Sequence, residues 1–306
     1  MAAVTVAPGG SVRRRVSVVR EFAGISVRNR LAVLIAGLSV LVTLTDAVAG
    51  GRFPFLPSPL AQNLVATLAP PSLSHPMGTD EYGRDILSRV LAGTMISVEV
   101  TLVVVILGAT LGMLIGVVAG FFGGTTDEVL MRVTDMFLAF PFLILAAAIA
   151  TAIGRNLTAT IIALTVVEWP WYARLARGQV LSLREHEFVL AARSLGASRR
   201  RLMFRGILPN VMPVLITQAT LDIGYVMLSM AGLSFLGIGA QPPAPEWGSM
   251  ILDALTYQPQ AWWYALFPGL ALTITAFGFN LLGDGLRDWF DPTLAGLRAD
   301  TGPAGP

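Results

Sequence analysis

Residues 188–210 read FVLAARSLGASRRRLMFRGILPN and lie between two long apolar stretches of the chain. The apolar residues of the first half recur at three- and four-residue spacing: Phe188, Ala191, Ala192 and Leu195. This spacing predicts a short helix with a narrow apolar face. Gly196 suits the left-handed end of that helix, and Pro209 suits the first turn of the next one because it lacks an amide donor.

A loop that only linked two membrane helices would need a few polar residues. This one has an apolar stripe, a glycine break, three consecutive arginines at 199–201 and a proline restart. We interpret it as a surface on which another protein docks, held rigidly between two membrane helices. The alternative from the residues alone is an amphipathic helix that lies on the lipid surface.

The composition is typical of a membrane protein. Hydrophobic residues make up 54% of the 306-residue chain and charged residues only 13%, with a mean hydropathy of +0.69. A water-soluble domain would be about a quarter charged. The chain has no lysine, so it lacks the lysine of a P-loop and cannot itself be an ATPase of that class.

Other chemistry is also excluded by missing residue types. There is no cysteine, and the two histidines, His75 and His186, are predicted to lie on opposite sides of the membrane. We therefore expect no metal site, no catalytic residue and no cofactor bound by this chain. No nucleic-acid partner is indicated either.

Apolar segments predict an all-α membrane protein, because crossing the hydrocarbon core as a helix takes about 20 residues. Six segments reach or approach that length: 31–49, 97–120, 133–153, 157–173, 212–238 and 264–283. Arginines gather before the first segment and in the loops on the same side, which places both termini in the cytoplasm.

These spans divide the chain into parts. The prediction assigns 1–30 to a basic cytoplasmic segment, 31–49 to the first transmembrane helix and 50–96 to a proline-rich extracellular loop. A cleaved secretory signal is the alternative for the first helix, although its apolar stretch is long for one. Residues 97–290 are then predicted to form a core of five transmembrane helices with the loop 185–210, and 291–306 to form a disordered tail.

Two features inside the membrane point to packing or transport. Glycines recur every fourth residue along one face of the second span: Gly108, Gly112, Gly116 and Gly120. They predict close helix packing, either within this chain or against a second subunit. Glu168 and Asp222 are intramembrane acids, which are candidates for a substrate pathway or else hydrogen-bonded packing residues.

At this point the chain resembles the integral-membrane permeases of bacterial ATP-binding-cassette importers. Their cytoplasmic loop has Glu-Ala-Ala, three residues, Gly, nine residues, Ile, one residue and Leu-Pro. Here Ala191-Ala192, Gly196 and Leu208-Pro209 match in register, while Leu190 replaces the Glu and Gly206 replaces the Ile. Glu187, one turn earlier, is a candidate substitute for the lost Glu.

Further motifs resemble one subgroup, the C-type subunits of dipeptide, oligopeptide and nickel permeases. They are HPMGTDEYGRDILSR at 75–89, LSFLGIG at 233–239 followed by QPP at 241–243, and GDGLRD at 283–288. The resemblance covers about residues 73 to 293.

The resemblance implies a multi-pass subunit in the bacterial inner membrane. Its implied partners are a second homologous permease, two cytoplasmic ATPases that hold ATP and Mg, an extracellular substrate-binding protein and membrane lipids. It implies that the loop couples to the ATPase through Glu187, Phe188, Leu190, Ala191, Ala192, Arg193, Leu195, Gly196, Leu208 and Pro209. Short peptides are the expected cargo, with nickel or haem as alternatives.

A rival interpretation is an ion-coupled secondary transporter that uses Glu168 and Asp222 as proton or cation sites. It would need no ATPase, and it leaves the docking loop unexplained.

Overall fold

The computed structural model describes residues 34–39, 41–42 and 56–290, with residues 288–290 as backbone only. The predicted segments 1–30 and 291–306, and most of the first span at 31–49, lie outside these residues. Eight helices of eight or more residues follow one another within 56–290: α1 Ile86–Phe122, α2 Gly124–Leu138, α3 Phe142–Ile153, α4 Leu157–Leu183, α5 Glu187–Ser194, α6 Leu208–Phe235, α7 Trp247–Leu255 and α8 Trp262–Phe290.

The described part of the chain is all-helical, as predicted. It contains no strand, only an isolated bridge between Thr79 and Asp85. A helical turn at Arg199–Arg201 and a π-helical segment at Leu202–Ile207 lead into α6.

Three helices of this part are long and apolar enough to cross a membrane: Ile86–Phe122, the continuous run Arg199–Phe235, and Trp262–Arg287. They cover the predicted spans 97–120, 212–238 and 264–283, except that the helix ends at Phe235. The first of them begins at Ile86, so residues 86–96 of the predicted extracellular loop are helical.

The predicted span 133–153 is wrong as a straight helix. The chain bends by 89° between α2 and α3, and the pair amounts to at most one broken span. Pro141 explains the break, since a proline disfavours helical backbone at the residue before it. The fourth predicted span, 157–173, lies within α4, but α4 is not among the helices apolar enough to cross alone.

The bundle is built from two long helix pairs. α1 packs along α4, and α6 packs along α8, while α7 packs across α6 and α8. All four glycines of the ladder face α4: a Cβ on Gly112 would lie 2.5 Å from Tyr172 Cβ, and one on Gly120 would lie 2.9 Å from Val180 Cβ. The missing side chains therefore let the two backbones approach closely within this chain.

Residues 56–85, the cap segment, are fixed to the bundle by buried charges. Asp80 accepts from Arg84 Nε at 2.6 Å and lies 3.4 Å from Arg89 Nε, and all three side chains are buried. Asp85 caps α1 by accepting from the Ser88 amide at 2.8 Å, and its other oxygen lies 2.9 Å from His75 Nδ1. The motif at 75–89 thus holds the cap segment against the start of α1.

Candidate functional site

The loop singled out from the sequence forms a helix that is anchored to the bundle. Val189 of α5 is fully buried, and Ala192 is partly buried beside it. They join a small core at one end of the bundle that draws on α1, α4 and α6 as well: Val117, Tyr172, Ala176, Val180, Val189, Leu202, Ile207, Val211 and Leu215. Displacement of α5 would therefore disturb the ends of three long helices.

The opposite side of α5 presents apolar residues that are partly or largely exposed. Phe188 is 46% exposed and Leu195 is 89% exposed, and Ala191 lies between them on the same face. The predicted face also included Ala192, which instead turns inward because it follows Val189 by three residues. Leu190, at the position of the family's Glu, is 46% exposed.

The break after α5 has the predicted geometry. Gly196 has a φ of +80°, which is favourable for glycine and strained for other residues. Ser198 then caps the next turn by accepting from the Arg201 amide at 3.4 Å. Pro209 lies in the first turn of α6, and Leu208 packs against the small core.

A cavity of about 400 Å³ lies where the bend between α2 and α3 meets α4 and α6. Both acids identified from the sequence line it, Glu168 from α4 and Asp222 from α6. The structure thus brings together two carboxylates that are far apart in the sequence.

The two acids have different surroundings. Asp222 accepts a hydrogen bond from Gln218 Nε2 at 2.8 Å through Oδ1, one helical turn away, while its Oδ2 is buried without a hydrogen-bond partner among the described residues. Glu168 is only 4% exposed, and its carboxylate makes no hydrogen bond or ion pair with any described residue. Burying a carboxylate without a partner is costly, so the environment of Glu168 is unusual for a packing residue.

Aromatic rings form much of the remaining wall: Phe137, Phe140, Phe142, Trp171 and Tyr225. Phe142 and Tyr225 pack against each other, with ring centroids 5.2 Å apart. These aromatic residues and Gln218 were not predicted from the sequence to lie beside the two acids. Gln218 and Tyr225 lie within one turn of Asp222, so that helical spacing was a signal, but the bend that brings Phe137 and Phe142 was not predicted.

Two ion pairs tie α2 to α4 beyond the cavity. Arg177 donates to both oxygens of Asp127, at 2.5 and 2.7 Å. Arg174 donates to Asp135 at 2.6 Å, in a more exposed position. These pairs fix the direction in which α2 leaves the bend.

Among the described residues, no three or more His, Cys, Asp or Glu side chains lie together in a group that could hold a metal ion.

The sequence that forms this site matches a known protein family. Residues 112–296 match the family described as binding-protein-dependent transport system inner membrane component. That match contains the bend, the cavity, α5 and the restart at Pro209.

Individual relatives are similar over most of the chain. The probable D,D-dipeptide transport system permease protein of Escherichia coli is 47% identical over 79% of this chain and 81% of its own length. The nickel transport system permease protein of Escherichia coli is 45% identical over 87% and 94%, respectively. The dipeptide transport system permease protein of Alkalihalophilus pseudofirmus is 42% identical over 73% and 74%.

Together with the long apolar helices, these matches identify a multi-pass protein of the bacterial inner membrane with C-type permeases as its relatives. The chain belongs to the binding-protein-dependent transport system inner membrane components, the permease subunits of ATP-binding-cassette importers.

Proposed function

We propose that this chain is one of two permease subunits in an ATP-driven importer of short peptides, and that α5 is its contact with a cytoplasmic ATPase. In this proposal the ATPases hold ATP and Mg, a binding protein delivers the cargo from outside, and this chain contributes half of the pathway. The chain itself catalyses no reaction.

The observation that supports the coupling role most directly is the contrast between the two faces of α5. Val189 inserts into the small core, whereas Phe188, Ala191 and Leu195 form an exposed apolar stripe. A helix that merely linked two spans would gain nothing from apolar residues on its outer side. A helix clamped on one side and apolar on the other is suited to receive a partner and to pass its movement to α1, α4 and α6.

The proposed contact residues are Glu187, Phe188, Leu190, Ala191, Ala192, Arg193, Leu195, Gly196, Leu208 and Pro209. Leu190 removes the acid that the family loop has at this position, and Glu187 is exposed one turn earlier in α5. We propose that Glu187 meets basic residues of the ATPase in its place.

The proposed topology has six spans with both termini in the cytoplasm. The first span is 31–49, α2 and α3 together form the third, and α4 forms the fourth. Residues 1–30 precede the bundle on the cytoplasmic side, the cap segment lies outside, and 291–306 follow as a tail. The three arginines at 199–201 then lie on the cytoplasmic side, in agreement with the positive-inside rule.

The cargo assignment rests on the relatives. Two of the three described above are named for dipeptides, which supports peptides as cargo. Nickel is the second candidate, because the relative named for nickel transport covers more of the chain than either of them. Competition of labelled dipeptide and ⁶³Ni²⁺ uptake in the same vesicles distinguishes the two.

The test of coupling uses the complete importer in proteoliposomes. We expect Ala191→Asp to abolish ATP-driven uptake and to lower ATPase co-purification, because it buries a charge in the contact. Thr126→Asp, which adds the same charge to an exposed position of α2, is the matched control and should leave both unchanged.

Normal co-purification of the ATPases with Ala191→Asp would contradict the docking role of α5. Accumulation of cargo driven by a proton gradient in ATP-depleted vesicles would instead favour the secondary transporter.

A further inference from the structure

We propose that the cavity at the bend is a binding site for a protonated primary amine attached to an apolar group, such as the amino-terminal end of a peptide. The site consists of the carboxylates of Glu168 and Asp222 and of the aromatic wall around them. This inference rests on the proposed import function and names the part of the cargo that this subunit recognises.

Glu168 is a buried acid that has no partner within the described chain. Its side chain is 4% exposed, lines the cavity and has no hydrogen-bond or ion-pair partner among the described residues. An intramembrane acid normally pairs with another group of the protein or faces a water-filled path. The partner that this carboxylate lacks within the chain is therefore expected to enter the cavity from outside.

The lining of the cavity determines the sign of the charge that it accepts. The ionisable side chains of its lining are the acids Glu168 and Asp222 and the phenol of Tyr225, and none of its lining residues in the described chain is basic. The nearest arginines of α4 are occupied elsewhere, since Arg174 pairs with Asp135 and Arg177 with Asp127. A cationic group is favoured, and a free carboxylate would find no partner here.

The aromatic lining of the cavity favours a cation that carries an apolar group. The rings of Phe142, Trp171 and Tyr225 surround the acids, and Trp171 is 54% exposed. Aromatic faces attract ammonium groups and also pack against an attached apolar side chain. A volume of about 400 Å³ accommodates an amine with one such side chain.

A divalent metal ion fits the site less well than an amine. The lining offers two carboxylates and the amide of Gln218 but no imidazole. No metal-binding cluster occurs among the described residues. Nickel binds imidazole in preference to carboxylates, and aromatic walls contribute nothing to its coordination.

The experiment compares 2-phenylethylammonium with 2-phenylethanol, which has nearly the same shape and no charge. Binding of each probe to the purified importer, without its binding protein, is measured by calorimetry in nanodiscs. We expect the ammonium to bind about tenfold more tightly, since a charge-assisted contact is added to the same apolar packing.

Glu168→Gln should reduce that preference to less than about threefold, because the amide keeps the shape of the side chain and removes its charge. Glu168→Asp, which keeps the charge, should retain most of the preference and thereby separate binding from folding. Glu128→Gln is the control, since it makes the same change at an exposed residue of α2 outside the cavity. Asp222→Asn repeats the test if Glu168→Gln does not fold.

Equal affinity of the two probes for the unmodified importer would overturn the proposal, and so would a preference that survives both Glu168→Gln and Asp222→Asn. Tighter binding of Ni²⁺ alone, lost in the same variants, would reassign the site to a metal. ATP-driven uptake by the unmodified importer is measured separately, so failure of the amine site is distinguishable from failure of the import function.

Discussion

Gly108 of α1 lies directly behind Glu168 of α4: a Cβ placed on Gly108 would lie 3.1 Å from both Cβ and Cγ of the glutamate. The glycine ladder of α1 and the acidic cavity therefore both border α4.

Replacement of Gly112 by alanine should destabilise the bundle. Its Cβ would collide with the carbonyl oxygen of Trp169 and lie 2.5 Å from Tyr172 Cβ, where backbone cannot move freely. We expect a loss of about 1–3 kcal/mol, seen as a lower midpoint of thermal unfolding in detergent. Gly178→Ala in α4 meets no heavy atom within 4 Å and should leave the midpoint unchanged.

The ion pair between Asp127 and Arg177 should hold α2 to α4. Its two hydrogen bonds, at 2.5 and 2.7 Å, are parallel, and the side chains are 16% and 33% exposed. We expect Asp127→Asn to cost about 1 kcal/mol, and the exchange Asp127→Arg with Arg177→Asp to recover part of it.

The exposed pair of Glu128 and Arg132, 3.9 Å apart, supplies the comparison, and Glu128→Gln should change little. A larger effect at Glu128 than at Asp127 would show that the bidentate geometry is unimportant.

Two glycines of the loop 185–210, Gly196 and Gly206, should respond differently to substitution by alanine. Gly196 has a φ of +80°, so a Cβ there is strained by about 1–2 kcal/mol. Gly206 lies in the π-helical segment and a Cβ there meets nothing within 4 Å, so alanine is tolerated. Hydrogen exchange of the α5 amides should rise in Gly196→Ala and stay the same in Gly206→Ala. Equal protection in both variants would contradict the left-handed cap.

Stability should depend on the protonation of Glu246. Its carboxylate caps α7 by accepting from the amides of Gly248 and Ser249, each at 2.9 Å. Burial nevertheless raises the pKa of Glu246 above the usual range, and the two amide donors offset only part of that rise.

The folded protein therefore binds this proton more tightly than the unfolded chain does. Its contribution to stability is fully present below the usual pKa of glutamate and is lost as the pH rises toward the folded-state pKa. Glu246→Gln should flatten this decline in the unfolding midpoint as the pH rises above about 4. An unchanged pH profile in the variant would assign the decline to other groups.

Periodicity predicted the parts of the fold that depend on local sequence. The helix α5, its end at Gly196 and the restart at Pro209 follow from residues that act within one turn of each other. The ladder of glycines likewise indicated close packing before its partner, α4, was known.

What the sequence could not show depends on contacts between distant residues. The bend at Pro141 was overlooked because the apolar stretch 133–153 continues across it. Val189 was not recognised as the anchor of α5, since its burial depends on Leu202 and Ile207, which fold back from beyond the loop. The meeting of Glu168 and Asp222 depends on the packing of α4 against α6.

The break at Pro141 also has a consequence for how the protein is made. α3 has 12 residues, about 18 Å at about 1.5 Å per residue, which is well short of a hydrocarbon layer of about 30 Å. α4 is long enough, but Glu168 and the residues after it leave it too polar to qualify alone. Neither helix alone has the length and apolarity of a membrane span, so in the proposed topology we expect the two to enter the bilayer together as a hairpin. In that topology, substitutions at this bend should affect membrane integration before they affect transport.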